Sequence, residues 1–266
     1  MLIIDEVKRL FHVDKRSWLK FLDDGNLPFK PDQLHSLFKS IIKKDSSPKK
    51  DLLPRGNMLL RPRRRDEFTV DAQNKPCRPE EALERFITAS NPDTSSRRYC
   101  NQFPIRGGKE SCDIAILNDD TNHEFVELKA WRSDDSPLYA IVESLKNFYL
   151  YSKIRDYGIK HHREFKYFNK ANLIVLAPRY YYQLWLPQKS NFDSLRKALT
   201  AFSSEFDTYI SLMELSLEEK EFNEKCKVCK IIKVTNGKKK VCVSTEDAIP
   251  ELARDNWRLL VSSERS

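Results

Sequence analysis

Glycine is scarce in this chain, with six in 266 residues. They form no phosphate-cradling loop of the nucleotide-binding type, so nothing points to ATP chemistry. Long apolar runs are missing as well: none approaches the roughly 18 residues that mark a transmembrane helix. The first ten residues carry Asp5, Glu6, Lys8 and Arg9, which does not read as a secretory signal. The six cysteines, Cys77, Cys100, Cys112, Cys226, Cys229 and Cys242, are scattered through a long chain. Free thiols in a reducing, cytoplasmic setting are the expectation. There is no internal repeat and no distinct recognition-helix signature.

Charge is plentiful. The chain is 32% charged and 40% hydrophobic, as a globular protein with a well-solvated surface should be. Its net charge is +8, and +7 of that falls in residues 1 to 79. A basic front end points to an anionic partner, nucleic acid being the commonest. A solvated, lysine-rich linker accounts for the same charge equally well.

Residues 2 to 44 read as helices, the last following Pro31 with Leu34, Leu37, Phe38, Ile41 and Ile42 as its apolar stripe. This small helical region is expected to pack on the main domain rather than stand apart. Residues 43 to 79 read as a basic, loop-rich linker, with a short strand at Met58 to Leu60 or at Phe68 to Val70. The run Arg61-Pro62-Arg63-Arg64-Arg65 suits phosphates or plain solvent. Pro79 then opens a helix, with two acids in its first turn. Leu83, Phe86, Ile87 and Ser90 form its core-facing stripe. At 100° per residue Glu80 flanks that stripe, Glu81 points away and Glu84 lies between.

Two strands and a turn follow Gly107-Gly108. Ile114 to Leu117 is one apolar run, residues 118 to 122 are turn residues, and Phe125 to Leu128 is a second run interrupted by an acid. Side chains alternate along a strand, so Glu127 and Lys129 share a face. A turn near residue 120 sets Asp113 roughly opposite them. Two carboxylates and an ammonium therefore converge at the end of the hairpin away from its turn. Such groups are seldom buried without partners.

After Trp131, a helix is expected over Leu138 to Ile154, a central strand over Ala171 to Ala177, a helix over Phe192 to Phe206 and a strand over Tyr209 to Leu217. A hairpin of Cys226 to Val234 with Lys240 to Ser244 should turn at Asn236-Gly237. A closing helix is expected from about Pro250, carrying Leu252, Trp257 and Leu260.

Paired carboxylates on adjacent strands are the donors that a hard cation such as Mg2+ prefers. Asp113 and Glu127 supply two, and the carbonyl of Leu128 offers a third. Lys129 would then orient, or help deprotonate, an attacking water. An Asp on one strand, Glu-x-Lys on the next, a preceding helix with Glu and a following amphipathic helix resemble the PD-(D/E)XK nuclease superfamily, over roughly Pro79 to Ala177. The residue before the aspartate is Cys112 rather than proline.

The resemblance implies an α/β fold: a mixed central β-sheet flanked by helices, a restriction-endonuclease-like core over residues 79–266, which the helical, basic N-terminal region and linker over 1–78 precede. It implies metal binding by Asp113, Glu127, Leu128 and Glu80, with Lys129 as the catalytic lysine. Glu80 matches the family's Glu-x-x-Leu pattern with Leu83, and Glu84 is the alternative. Where some subfamilies carry Gln on the following helix, this chain offers Glu143, Ser144 or Asn147. The implied activity is Mg2+-dependent endonuclease cleavage, with Mn2+ as substitute and DNA as partner. A homodimer or a partner subunit is compatible with it. The alternative is a non-catalytic nucleic-acid-binding or interaction module that keeps the fold.

Other motifs are bland. Cys226-Lys-Val-Cys229 has zinc-ligand spacing, with Cys242 as a third ligand and no fourth, so core thiols are expected. His161-His162 reads as loop. Tyr180-Tyr181-Tyr182 with Trp185 reads as packing ahead of base stacking.

Overall fold

The computed structural model describes residues 21, 22, 25, 27, 29–44, 65–106, 110–118, 123–161, 171–186 and 191–264. The helices expected before Phe21, most of the basic linker with Arg61 to Arg64, Gly107-Gly108, the turn residues 119–122 and His162 lie outside them.

The centre is a mixed six-stranded sheet. In chain order it contains β2 (Arg97–Arg106), β3 (Glu110–Asn118), β4 (His123–Leu128), β5 (Ala171–Pro178), β6 (Tyr209–Leu215) and β9 (Arg258–Ser262), adjacent in that order. β2, β3 and β4 form an antiparallel meander. β4, β5 and β6 run parallel, and β9 closes the edge antiparallel to β6. Parallel neighbours need a crossover. Helix α3 (Pro137–His161) supplies one, and α4 (Arg179–Trp185) with α5 (Asn191–Phe206) supplies the next. β5 reads Ala-Asn-Leu-Ile-Val-Leu-Ala-Pro, a nearly continuous apolar run, because helices cover both its faces.

On one face, α1 (Pro31–Lys44), α3 and α5 build a core that includes Phe38, Phe125, Leu145 and Phe202. The expectation that the helix after Pro31 packs on the main domain holds: Phe38 is fully buried, against Tyr149 and Phe206. On the other face, α2 (Pro79–Ser90) and α6 (Glu219–Val228) cover Ile114, Val126 and Leu176. A second sheet lies outside α2. It has the order β1 (Glu67–Val70), β8 (Lys238–Cys242), β7 (Lys230–Thr235), antiparallel throughout. Its hairpin turns at Asn236 (φ 50°) and Gly237 (φ 73°), the left-handed pair a two-residue type I′ turn requires. The expected Phe68 to Val70 strand is β1.

Two expectations are corrected. No closing helix follows Pro250. The segment makes short 3-10 turns at Thr245–Asp247, Pro250–Leu252 and Arg254–Asn256, then enters β9. Leu252 and Trp257 are buried, but five residues apart they cannot share a helical stripe. Residues 226 to 228 end α6 rather than begin a strand, because Phe222 and Cys226 form an i, i+4 apolar pair that packs under Trp131. Helix α2 is also buried on more sides than its stripe suggests. The second sheet covers its back, so Glu84 and Arg85 are each only 2% exposed.

Among the described residues no helix is long and apolar enough to cross a membrane. No cysteine is in a disulfide.

Candidate functional site

The β2–β3 pair carries a local break in alternation. Cys112 and Ala115 both face the α3 core, while Ile114 and Ile116 face the α2 core. Cys100 and Phe103 break the pattern the same way on β2, around Gln102 with φ 49°. Pairing register is unchanged across the break, so both strands swap faces together. A left-handed non-glycine residue costs about 1–3 kcal/mol. Here that strain turns Gln102 towards α2, where its amide donates to Glu84 Oε2 at 2.7 Å and its Oε1 accepts from Ser111 at 3.1 Å.

Asp113 sits at the break, lining a cleft of about 550 Å³ beneath the start of α2. Glu80, Glu84 and Gln102 share the cleft, and Arg65, Arg78 and Arg132 also line it. Asp113 Oδ2 accepts the backbone N–H of Leu128 at 2.8 Å. Leu128 therefore turns its N–H towards β3, and a strand residue's carbonyl points to the same side as its N–H. The next N–H, of Lys129, turns the other way, to Leu176 O on β5 at 3.0 Å. Glu80 Oε1 accepts the N–H of Ala130 at 3.2 Å. Both acids are thus fixed by the backbone leaving β4.

Glu127 and Lys129 lie on the opposite face of β4, under α3. The paired register of β3 and β4 ends at Ile114↔Val126, next to Asp113 and Glu127. Lys129 is 3% exposed and its ammonium is surrounded by acids: Glu127 Oε1 at 3.1 Å, Glu143 Oε2 at 3.1 Å and Asp135 Oδ2 at 3.5 Å. Of the three candidates on α3, Glu143 is the one that reaches the lysine. Ser144 is buried, and Asn147 donates to Ser111 O at 3.5 Å.

Negative charge outnumbers positive here. Glu80, Glu84, Asp113, Glu127, Asp135 and Glu143 gather around Lys129, Lys146 and Arg85. Burial pushes the Asp113 carboxyl up to about 7, with Glu143 and Glu80 adding to it and Lys129 and the Leu128 N–H opposing. Burial and the nearby Asp113 push Glu84 up to about 8, against Arg85 at 2.5 Å. Burial, then Asp113 and Glu143, raise Glu127 well above the carboxylate range. Glu127 and Glu143 both accept from the Lys129 ammonium, at 3.1 Å each. Burial would raise Glu143 too, but Lys129 and Lys146 outweigh it and hold it low. Burial alone would lower Lys129, but Glu127, Glu143, Glu80 and Asp113 outweigh it and hold the ammonium charged.

The site therefore has two halves. Glu80, Glu84 and Asp113 face the cleft, while Glu127, Lys129, Glu143 and Asp135 lie behind Asp113. Among the described residues, no three His, Cys, Asp or Glu side chains stand close enough together to hold a metal ion. The same holds for Cys226, Cys229 and Cys242. Burial raises the thiols of Cys226 and Cys229, the latter to about 12. Tyr181, Tyr182 and Trp185 are core packing, as expected, and Tyr180 is exposed.

Sequence reasoning misses Asp135, Gln102 and Arg85. Asp135 sits in a Ser/Asp-rich turn that reads as a connection. Gln102 gains its position from backbone strain, which leaves no pattern in the sequence. Glu81, expected to point away, lines the cleft and pairs with Arg85 at 3.3 Å. No family model, curated protein or solved structure matches this chain.

Proposed function

We propose that this protein is a divalent-metal-dependent endonuclease that hydrolyses phosphodiester bonds in DNA, on a restriction-endonuclease-like core of the PD-(D/E)XK type. The observation that carries the reading is the convergence of Asp113 on β3, Glu127 on β4 with Lys129 just past it, and Glu80 on α2 at one end of the mixed sheet. The order α2, β2, β3, β4, α3, β5 supports it as well.

Asp113, Glu127, Glu80 and the Leu128 carbonyl would hold Mg2+, with Mn2+ as substitute. These hard oxygen donors suit such a cation. The ion would neutralise charge at the scissile phosphate and acidify a bound water. To join the set Glu127 would have to turn from Lys129 towards Asp113. Lys129 stays protonated, held by Glu143 and Asp135. Its part is to orient the attacking water and stabilise developing negative charge, not to act as a base. Arg65, Arg78 and Arg132 suit phosphates flanking the cleft.

Purified protein incubated with supercoiled plasmid tests the reading. Nicking in Mg2+ or Mn2+, its absence in chelator, and its loss in Asp113→Asn and Lys129→Met are expected. Cleavage by both variants at the parent rate contradicts it. A second reading, a non-catalytic nucleic-acid-binding module with the same fold, is favoured by the engagement of Glu127 with Lys129 at 3.1 Å. It predicts salt-sensitive DNA binding without cleavage in any divalent metal.

A further inference from the structure

Residues 225 to 240 contain seven lysines and no acid. They span the end of α6 and the β7–β8 hairpin. All of β7 is exposed, and β7 is one edge of the three-stranded sheet. The register gathers the charge onto one face. Lys230 pairs with Cys242, Lys233 with Lys240, and Thr235 with Lys238, because an irregularity at Ile232 absorbs one residue. Directly paired residues share a face, so Lys230, Lys233, Lys238 and Lys240 all project from the same side. The opposite side carries Val241, paired with Phe68, both buried in the α2 core. The lysine side is therefore the outer one.

This face is poorly neutralised. Lys240 pairs with Glu67. Among the described residues Lys230, Lys233 and Lys238 have no carboxylate partner. Lys233 stands opposite Lys240, and like charges directly across a strand pair are destabilising. The hairpin is also linked to the cleft through the elements beside it, β1, which pairs with β8, and α6, which precedes β7. β1 leads through Cys77 and Arg78 into α2, and α6 begins at Glu219. Cys77, Arg78 and Glu219 all line the cleft.

We infer that the outer face of the β7–β8 hairpin docks the phosphodiester backbone of DNA, delivering the duplex to the adjacent cleft. A polyanion relieves the repulsion between Lys233 and Lys240. A second copy of the chain pairing along the β7 edge would instead bring a second set of lysines against the first. Backbone contacts of this kind position a duplex without reading its sequence. The inference names the substrate-docking element of the nuclease reading, and rests on that reading for the substrate.

Fluorescence anisotropy of a labelled duplex, in chelator so that nothing is cut, tests it. The parent chain is compared with the triple variant Lys230→Gln, Lys233→Gln, Lys238→Gln across a salt series. The triple variant should bind at least tenfold more weakly at low salt. Its log affinity against log salt should be shallower by about 2.7, at roughly 0.9 for each phosphate no longer neutralised. Thermal unfolding should show the variant at least as stable as the parent, which separates a docking defect from a folding defect. An unchanged salt slope, or no duplex binding by the parent at low salt, overturns the inference. So does a parent dimer that the variant abolishes while DNA binding is unchanged. A parent that binds with the steep slope but cuts nothing in Mg2+ or Mn2+ leaves the docking face standing and removes the nuclease reading.

Discussion

The carboxylate of Asp113 is held by the backbone N–H of Leu128 at 2.8 Å, one residue past Glu127. This bond separates the structural part of Asp113 from its chemical part. Asparagine keeps an acceptor oxygen and loses the charge. Asp113→Asn should fold, unfold within a few degrees of the parent, and lose cleavage by at least a hundredfold. Asp113→Ala leaves the Leu128 N–H unsatisfied and should cost about 1–3 kcal/mol as well. Urea denaturation of both variants beside plasmid nicking checks the split.

Lys129 is the main positive charge for three acids, so its removal should be felt in the fold. Lys129→Met leaves Glu127 and Glu143 without their ammonium, and breaking a buried pair by removing one partner costs about 3–5 kcal/mol. Adding Glu127→Gln should recover part of that loss without recovering cleavage. A double-mutant cycle on unfolding free energy measures the coupling.

Glu80 and Glu84 should separate cleanly. Glu80 is half-buried and held by one backbone bond, so Glu80→Gln should abolish most cleavage and shift stability little. Glu84 is buried against Arg85 and Gln102. Glu84→Gln weakens the Arg85 pair and should cost stability, about 1–3 kcal/mol, with the smaller effect on rate. The opposite ordering of the two variants would make Glu84 the helix acid.

The raised carboxyls give stability a pH slope. Asp113 near 7 and Glu84 near 8 hold protons in the folded chain that an unfolded chain releases near pH 4. Their stabilising contribution is full below that lower range and is lost as pH rises through 7 and 8. In chelator, the melting temperature should fall from pH 6 to pH 9. Mn2+ should raise it more at pH 8.5 than at pH 6, because cation binding displaces protons. A chelated protein that grows more stable over this range contradicts the shifts.

Most of the fold is legible in the chain because its signals are local. The apolar run at β5, Pro79 at the start of α2 and Asn236-Gly237 each act within a few residues. That Asp113 lies beside the end of β4 is legible too, from two apolar runs that pair antiparallel, but its placing on the opposite face from Glu127 and Lys129 is not. The rest depends on partners distant in sequence. Glu84 and Arg85 are buried only because β1 and β8 cover the back of α2. The face swap at Gln102 and Asp113, which opens the carboxylate to the cleft, is a backbone event with no composition of its own. The closing segment reads as a helix from its apolar content, yet Leu252 and Trp257 reach the core from separate short turns. The lysine face of the hairpin needs the irregularity at Ile232, which alternation alone does not reveal.

The central claim is that Asp113 and Glu127 share a cation. A crystal soaked in Mn2+, with diffraction recorded at the manganese absorption edge, tests it most directly. The expected result is one anomalous peak between Asp113 and Glu127, within about 2.2 Å of a carboxylate oxygen of each, near the Leu128 carbonyl and with the Glu127–Lys129 pair opened. An empty map at that position, with Glu127 still bonded to Lys129, in protein that nonetheless cuts DNA in Mn2+, would contradict it.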